Sequence, residues 1–316
     1  MEPSQKRYDI IYAGNYTKDT IITPGGTRYV DGGGFNYAAH AGARLGLKTA
    51  AVTRLALEDK KVVDAIESDG IDCYPTYTPS STLMTLEYKT TNVDIRNLFV
   101  KAVAGTITAS QFDGLEARAI VISPSIRGEV EPVFFETMRK RNDVIISADV
   151  QGFVRVLRDQ MLVYEPWDEM AQVLRNVDIL KSDAVEAEFL TGEKDIEKAA
   201  RAFARMGPKE IILTHKDGVL IYAQEKAYHY EFFTKNLDGR SGRGDTCVGA
   251  YVAKRLSLTP EEAGKWAAAV TSLKMEKLGV FDRSILDVET FIQDNYNNNP
   301  LVERRQAQTD LGRKPV

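Results

Sequence analysis

The sequence predicts an α/β protein in which a mostly parallel sheet is covered by helices and a small extra sheet is added. Three observations carry this expectation. Short β-branched or apolar runs alternate with longer amphipathic ones along most of the chain, the rhythm of strand–helix–strand units. Most of the strand-like runs end in glycine or polar residues, where an open parallel sheet gathers its ligands. Two segments, 15–33 and 76–104, break the rhythm with the alternation of exposed strands.

The first strand is YDIIYAG (8–14), apolar until its glycine and followed by Asn15. Apolar residues at helical spacing then predict a helix over 36–46, the strand KTAAVTR (48–54) and a second helix over 58–69. Within 76–104, TLMTLEYK and DIRNLFVKA alternate and are joined by the turn-forming TTN, which makes them partners of 15–33 in the added sheet. RAIVISP (118–124) and DVIISAD (143–149) flank a helix over 130–141, and the second of these strands delivers Asp149. VDILKS (177–182) leads to Asp183, a helix covers 195–206, and EIILTH (210–215) carries Thr214 at its end. Helices over 245–256 and 260–277 complete the pattern. The stretch DNYNNNPLVERRQAQTDLGRKPV is polar and rich in Asn, Arg and Gln, so 295–316 reads as a flexible or peripherally docked tail. The remainder, 1–294, is expected to be one domain.

Composition narrows the partners. The chain has 316 residues, 43% of them hydrophobic, which is ample for a buried core. Its 41 basic and 45 acidic residues give a net charge of −4, so neither nucleic acid nor an anionic membrane is an expected partner. No apolar run approaches the roughly 18–20 residues of a membrane span. Two cysteines, Cys73 and Cys247, and an amino terminus without a signal-peptide core point to a reducing, cytoplasmic setting. A small molecule is the expected partner.

The stretch GRSGRGDTCVGAY (239–251) carries the strongest chemical signal. Gly242 and Gly244 let backbone N–H groups turn inward, and the helix that follows adds the partial positive charge of its amino terminus, making 242–245 a phosphate cradle. Asp245, a carboxylate among groups that attract anions, is the candidate base for a hydroxyl that attacks phosphate. The competing reading is a glycine-rich turn in which Asp245 only caps the helix. GGGFNY (32–37) has tyrosine where a dinucleotide fingerprint needs its last glycine, and no P-loop sequence occurs, so neither of those phosphate sites is supported. Here Gly33 and Gly34 bring backbone close to a polar ligand and Asn36 offers both a donor and an acceptor. His215 is one of three histidines and has no partner at zinc-ligand spacing.

Together these stretches resemble the ribokinase-like, or PfkB, carbohydrate kinases. Gly242, Gly244, Asp245, Gly249 and Ala250 match the family's carboxyl-terminal signature, with Arg243 in place of alanine. Gly33, Gly34 and Asn36 match the amino-terminal one. ILKSDAVEAEFLTG (179–192) is similar to the Asn-x-x-Glu motif associated with magnesium, with Asp183 for asparagine and Glu186 retained. DVQGFVR (149–155) resembles the inositol-kinase-like branch. LTHKDGVLIY (213–222) is similar to the strand-turn-strand that sets Thr214 and Gly218 beside the nucleotide.

The resemblance implies a three-layer sandwich with a small β-sheet lid from 15–33 and 76–104, whose outer face would pair with a second subunit. It implies ATP and Mg²⁺ as cofactors and phosphoryl transfer to a hydroxyl of a small sugar or polyol. Asp245 would be the base within the Gly242, Arg243, Gly244 cradle. Asp19, with Asn15 as a second choice, would hold substrate hydroxyls together with Gly33, Gly34 and Asn36. Arg155 or Arg243 would neutralise the transferring phosphoryl group. Asp183 and Glu186 would hold magnesium through water. Small residues at 267–269 would admit a purine, or else serve helix packing. A nucleoside kinase is a second reading, with Phe35, Tyr88 and Phe99 as the rings available to a base. A non-catalytic binding protein on the same scaffold is a third, and the retained Asp245 and Glu186 argue against it.

Overall fold

A computed structural model describes residues 5–90, 96–141 and 143–297. The chain opens with β1 (Lys6–Ala13), β2 (Thr17–Thr23), β3 (Gly26–Asp31), α1 (Gly34–Arg44), β4 (Thr49–Ala56), α2 (Lys60–Ser68) and β5 (Asp72–Thr78). It continues through β6 (Thr82–Glu87), β7 (Asn97–Ala102), β8 (Leu115–Ile122), α3 (Pro132–Arg139), β9 (Ile145–Asp149), α4 (Gln151–Val154), β10 (Arg155–Arg158), β11 (Met161–Tyr164) and α5 (Met170–Leu174). The last third holds β12 (Ile179–Asp183), α6 (Ala184–Thr191), α7 (Ile196–Ala204), β13 (Glu210–Thr214), β14 (Gly218–Ala223), β15 (Lys226–Glu231), α8 (Arg243–Arg255), α9 (Pro260–Met275) and α10 (Ile285–Ile292).

The central sheet runs β15-β14-β13-β12-β9-β8-β1-β4-β5, parallel from β13 to β5 and antiparallel at β14 and β15. Because side chains alternate across a strand, Ile10 and Tyr12 of β1 enter one core while Ile11 and Ala13 enter the other. The first core is shared with α1, α2, α8, α9 and α10 through Ala38, Val62, Val252, Val270 and Val288. The second is shared with α3, α5 and α7 through Phe134, Leu174 and Phe203. Three layers result, held by apolar side chains each worth about 1.5–3 kcal/mol when fully buried. From β1 the chain moves to β4 on one side and later to β8 on the other, so the sheet's switch point, the usual ligand crevice, lies between β1 and β8.

The second sheet runs β10-β11-β7-β6-β2-β3 around its own small core of Ile21, Met84, Leu86, Val100 and Ile126. The lid expected from 15–33 and 76–104 needs two corrections. Residues 76–78 stay in β5, at the edge of the central sheet, where they pair with β4. The hairpin β10–β11 joins the lid through β7, and it turns on Asp159 and Gln160 at positive φ, without the glycine that marks such turns in a sequence. Of the TTN turn at 90–92, residues 91 and 92 lie outside the described residues. Of the polar tail, residues up to 297 dock: Tyr296 is buried against Phe233 and donates its hydroxyl to the Glu231 carbonyl. Residues 298–316 lie outside the described residues. No described helix is long and apolar enough to cross a membrane.

Candidate active site

The turn ahead of α8 is built by three glycines with different neighbours. Gly242, the residue before the helix, has φ 76°, and any Cβ there would collide with the Tyr37 ring of α1. A Cβ on Gly244 would lie 2.8 Å from Lys181 Nζ, and one on Gly239 would strike the carbonyls of Lys274 and Lys277. Gly244 and Asp245 sit in the first helical turn, where backbone N–H groups have no partner four residues back. Two buried lysines flank this turn, Lys181 from β12 and Lys274 from α9. Lys274 donates to the carbonyls of Gly239 and Ser241. Burial pushes its pKa down to about 7, against the nearby Asp245 charge.

Asp245 and the amino terminus of α1 meet at the β1/β8 switch point. A Cβ on Gly34 would collide with Asp245 Oδ1 and come within 2.8 Å of Ser123 Cβ, just beyond β8. Gly33, at φ 98°, leaves room for the Asn15 carbonyl, to which a Cβ would come within 2.7 Å. On the lid side Asp19 of β2 lies against Gly32, and burial pushes its carboxyl up to about 6. Asp19 Oδ1, Asn36 Oδ1 and Ser123 Oγ are buried without a hydrogen-bond partner. Such groups are costly to leave unpaired, and the three flank the Gly32–Gly34 entry to α1, which marks a place for a ligand rich in hydroxyls. Asn15 donates its Nδ2 to the Gly105 carbonyl while its Oδ1 is buried without a partner, and burial pushes the nearby Glu129 carboxyl up to about 7.

Behind the turn lies a buried charge network. Lys181 Nζ is 2.9 Å from Asp149, both nearly inaccessible, and Arg155 Nη2 is 3.2 Å from Glu186 Oε1. Burial opposes the Lys181 charge, but Asp149, Glu186, Asp245 and Asp183 together raise its pKa. Arg155 is likewise held protonated, chiefly by Glu186 against burial. Asp183 caps α6 by accepting from Glu186 N at 2.8 Å, and Glu186 Oε2 accepts from Asp183 N at 3.0 Å, a capping box. Among the described residues no three His, Cys, Asp or Glu side chains cluster as a metal site. With both oxygens of Glu186 engaged and the residue wholly buried, Glu186 has no oxygen free for the inner shell of a magnesium ion.

On the other side of the turn, the Arg243 guanidinium lies 6.0 Å from the centre of the Phe232 ring. Thr214 is buried at the floor, its Oγ1 4.0 Å from where a Gly244 Cβ would sit. Gly218 is packed against the Tyr230 carbonyl, so it serves the β14–β15 pairing. The loop after β15 lies flat on α9: Phe233 N donates to Ser272 Oγ at 3.1 Å, Lys235 N to Glu276 at 3.3 Å and Gly239 N to the Met275 carbonyl at 2.8 Å. Ala267, Ala268 and Ala269 are wholly buried. They serve helix packing and leave no alanine face open to a purine. Phe35 is wholly buried too, so it cannot sandwich a base.

The structure therefore gathers Gly33, Gly34, Asn36, Asp19, Gly242, Gly244 and Asp245 at one crevice. It sets Asp183, Glu186 and Arg155 behind them, Arg243 beside Phe232 and Thr214 beneath Gly244. Sequence reasoning missed Lys181, Lys274 and Ser123; Gln151, in the loop that the sequence reading singled out with Arg155, sets its Nε2 3.5 Å from Asp245 Oδ1. Lys274 had a signal: it is in helical phase with Ala267, Val270 and Thr271, on the face of α9 turned to the core.

The family model described as pfkB family carbohydrate kinase matches residues 8–285. A solved pyrophosphate-dependent kinase of the ribokinase family, complexed with a pyrophosphate analog and myo-inositol, superposes with a TM-score of 0.82 at 32% identity, covering 89% of this chain and 99% of that one. The sulfate complex of a pyrophosphate-dependent kinase in the ribokinase family gives 0.83 at 33% identity, over 89% and 99% of the two chains. Arabidopsis thaliana ribokinase, complexed with ribose and ATP, shares the fold at a TM-score of 0.73 and 17% identity, over 91% and 99%. Comparison with curated proteins gave no match.

Proposed function

The chain belongs to the pfkB family of carbohydrate kinases, and from that premise we propose that it moves a phosphoryl group from inorganic pyrophosphate to a hydroxyl of an inositol-like polyol. The observation that carries the reading is the meeting of Asp245, the α1 glycines and the unpartnered Asp19 and Asn36 oxygens beside the Gly242–Asp245 turn. Asp19 and Asn36 bind adjacent hydroxyls, the carboxylate accepting from both members of a vicinal pair. Asp245 takes the proton of the hydroxyl that attacks. Backbone N–H groups of the turn, with Lys181 behind Gly244, face the charge that spreads over the transferring oxygens. Asp183 and Glu186 would hold a magnesium ion through water, and the ion would supply neutralisation of the donor phosphates' charge. The lid covers the acceptor and keeps competing water out, and its outer face, with Tyr29 exposed on β3, is the proposed dimer surface.

Pyrophosphate is preferred as donor on two grounds. The similarity to pyrophosphate-dependent kinases covers most of the chain, and the 232–239 loop is bonded directly to α9, over which a base would have to lie. ATP, the donor implied by the family resemblance, keeps one supporting observation. A cavity of about 340 Å³ opens between Arg28, Asp238, Glu276, Lys277 and Leu278, at the end of α9 beside that loop. Product formation with myo-inositol, other polyols, sugars and nucleosides, each with pyrophosphate and with ATP, tests the reading. Transfer from ATP alone overturns the donor, and transfer to nucleosides alone overturns the acceptor.

A further inference from the structure

Lys274 is a charged residue on the buried face of a helix, and the chemistry above leaves it without a role. Its Nζ donates to the carbonyls of Gly239 and Ser241, and it stands 4.9 Å from the centre of the Tyr37 ring. The same ring supports Gly242. One side chain thus ties α9 and α1 to the turn ahead of α8, and it does so through main-chain oxygens. The direction of those oxygens matters, because a trans peptide is planar and sets its N–H opposite its C=O. Holding the Ser241 carbonyl toward α9 points the Gly242 N–H the other way, to the side where the turn opens.

We propose that Lys274 is a positioning residue for the donor anion: by fixing the peptides at 239 and 241 it presents the Gly242 N–H to phosphate, beside the N–H groups of Gly244 and Asp245 in the first turn of α8. The inference rests on the phosphoryl-transfer reading, and its test separates the two. Lys274→Met keeps the length and apolar stem of the side chain and removes the donor. Calorimetry with inorganic pyrophosphate should show binding weakened about 10- to 100-fold, the range expected when an anion site loses its alignment. The KM for the polyol should stay within about twofold, because Asp19 and Asn36 do not touch Lys274. Lys274→Ala should recover part of its pyrophosphate affinity in propylammonium, which a merely structural packing role would not provide. Lys274→Gln, polar and still a donor through its amide, serves where the alanine variant does not fold, and should fall between wild type and methionine. Unchanged pyrophosphate affinity in a folded Lys274→Met protein overturns the inference, as does an equal loss in polyol KM. If Asp245→Asn keeps full turnover, the kinase reading itself falls. A dead Asp245→Asn protein beside an unaffected Lys274→Met protein sinks only the positioning role.

Discussion

Asp19→Asn should stabilise the protein at neutral pH while it weakens the acceptor site. Burial pushes the Asp19 carboxyl up from 3.8 to about 6, the Thr17 hydroxyl opposing the shift, and Oδ1 has no hydrogen-bond partner. A group whose folded pKa lies above its unfolded value favours the folded state when protonated. Its contribution is fully present below about pH 3.8 and is lost as the pH rises through about 6. A shift of about two units corresponds to roughly 3 kcal/mol at most, each unit being worth about 1.4 kcal/mol. Asparagine has nearly the same shape and no charge to bury, so it escapes that loss. Urea unfolding of both proteins from pH 4 to 8 should show curves that meet near pH 4 and separate by about 1–3 kcal/mol in favour of the variant above pH 7. In the same variant the polyol KM should rise about 10- to 100-fold, the loss of one hydrogen bond to a charged group. Parallel stability curves, or a wild type more stable than the variant at pH 7.5, would refute the claim that this carboxylate is held at a cost for the sake of ligand.

Lys181→Met should destabilise the protein by about 3–5 kcal/mol, because Asp149, Glu186, Asp183 and Asp245 then lose the cation they share. Asp149→Asn should cost less, since the other carboxylates remain around Lys181, and the double variant should be less unstable than the sum of the two; additivity in urea melts would count against a coupled network. Gly242→Ala, forced to φ 76° against the Tyr37 ring, should lose about 2–4 kcal/mol of stability and most turnover; a melt like that of wild type would mean the turn is not as tight as described. Arg243→Ala should raise the donor KM and leave the polyol KM unchanged, as expected of a guanidinium lying over Phe232 in the turn proposed to hold the donor. A change confined to the polyol KM would move it to the other half of the site.

The strands and helices of the central sandwich were legible because burial on both faces writes long apolar runs into the strands, and amphipathic spacing into the helices that cover them. Gly242, with the helix start behind it, was legible as a turn for the same local reasons. Other features depend on contacts distant in sequence. Asp159 and Gln160 make a hairpin turn without glycine, so β10–β11 left no mark. Gly218 follows a strand as a nucleotide-side glycine would, yet it is packed on Tyr230 through a pairing that no local pattern reveals. Ala267–Ala269 read equally well as a groove or as packing, and only the position of α8 and the sheet decides for packing. Lys181 and Asp149 come from strands separated by α4, the lid hairpin and α5, and their pairing across β9 and β12 is a product of topology. ATP as donor was an expectation carried by family resemblance alone. What bears on the donor is the loop lying against α9, a tertiary contact.

The central claim, that Asp245 takes the proton of a polyol hydroxyl attacking a phosphate held by the Gly242–Asp245 turn, is tested most directly by single-turnover phosphoryl transfer from pyrophosphate to myo-inositol in wild type and Asp245→Asn. The account predicts that the variant binds both ligands with near-normal affinity and transfers phosphate about 10²–10⁴-fold more slowly. Transfer by the variant at close to the wild-type rate would contradict it.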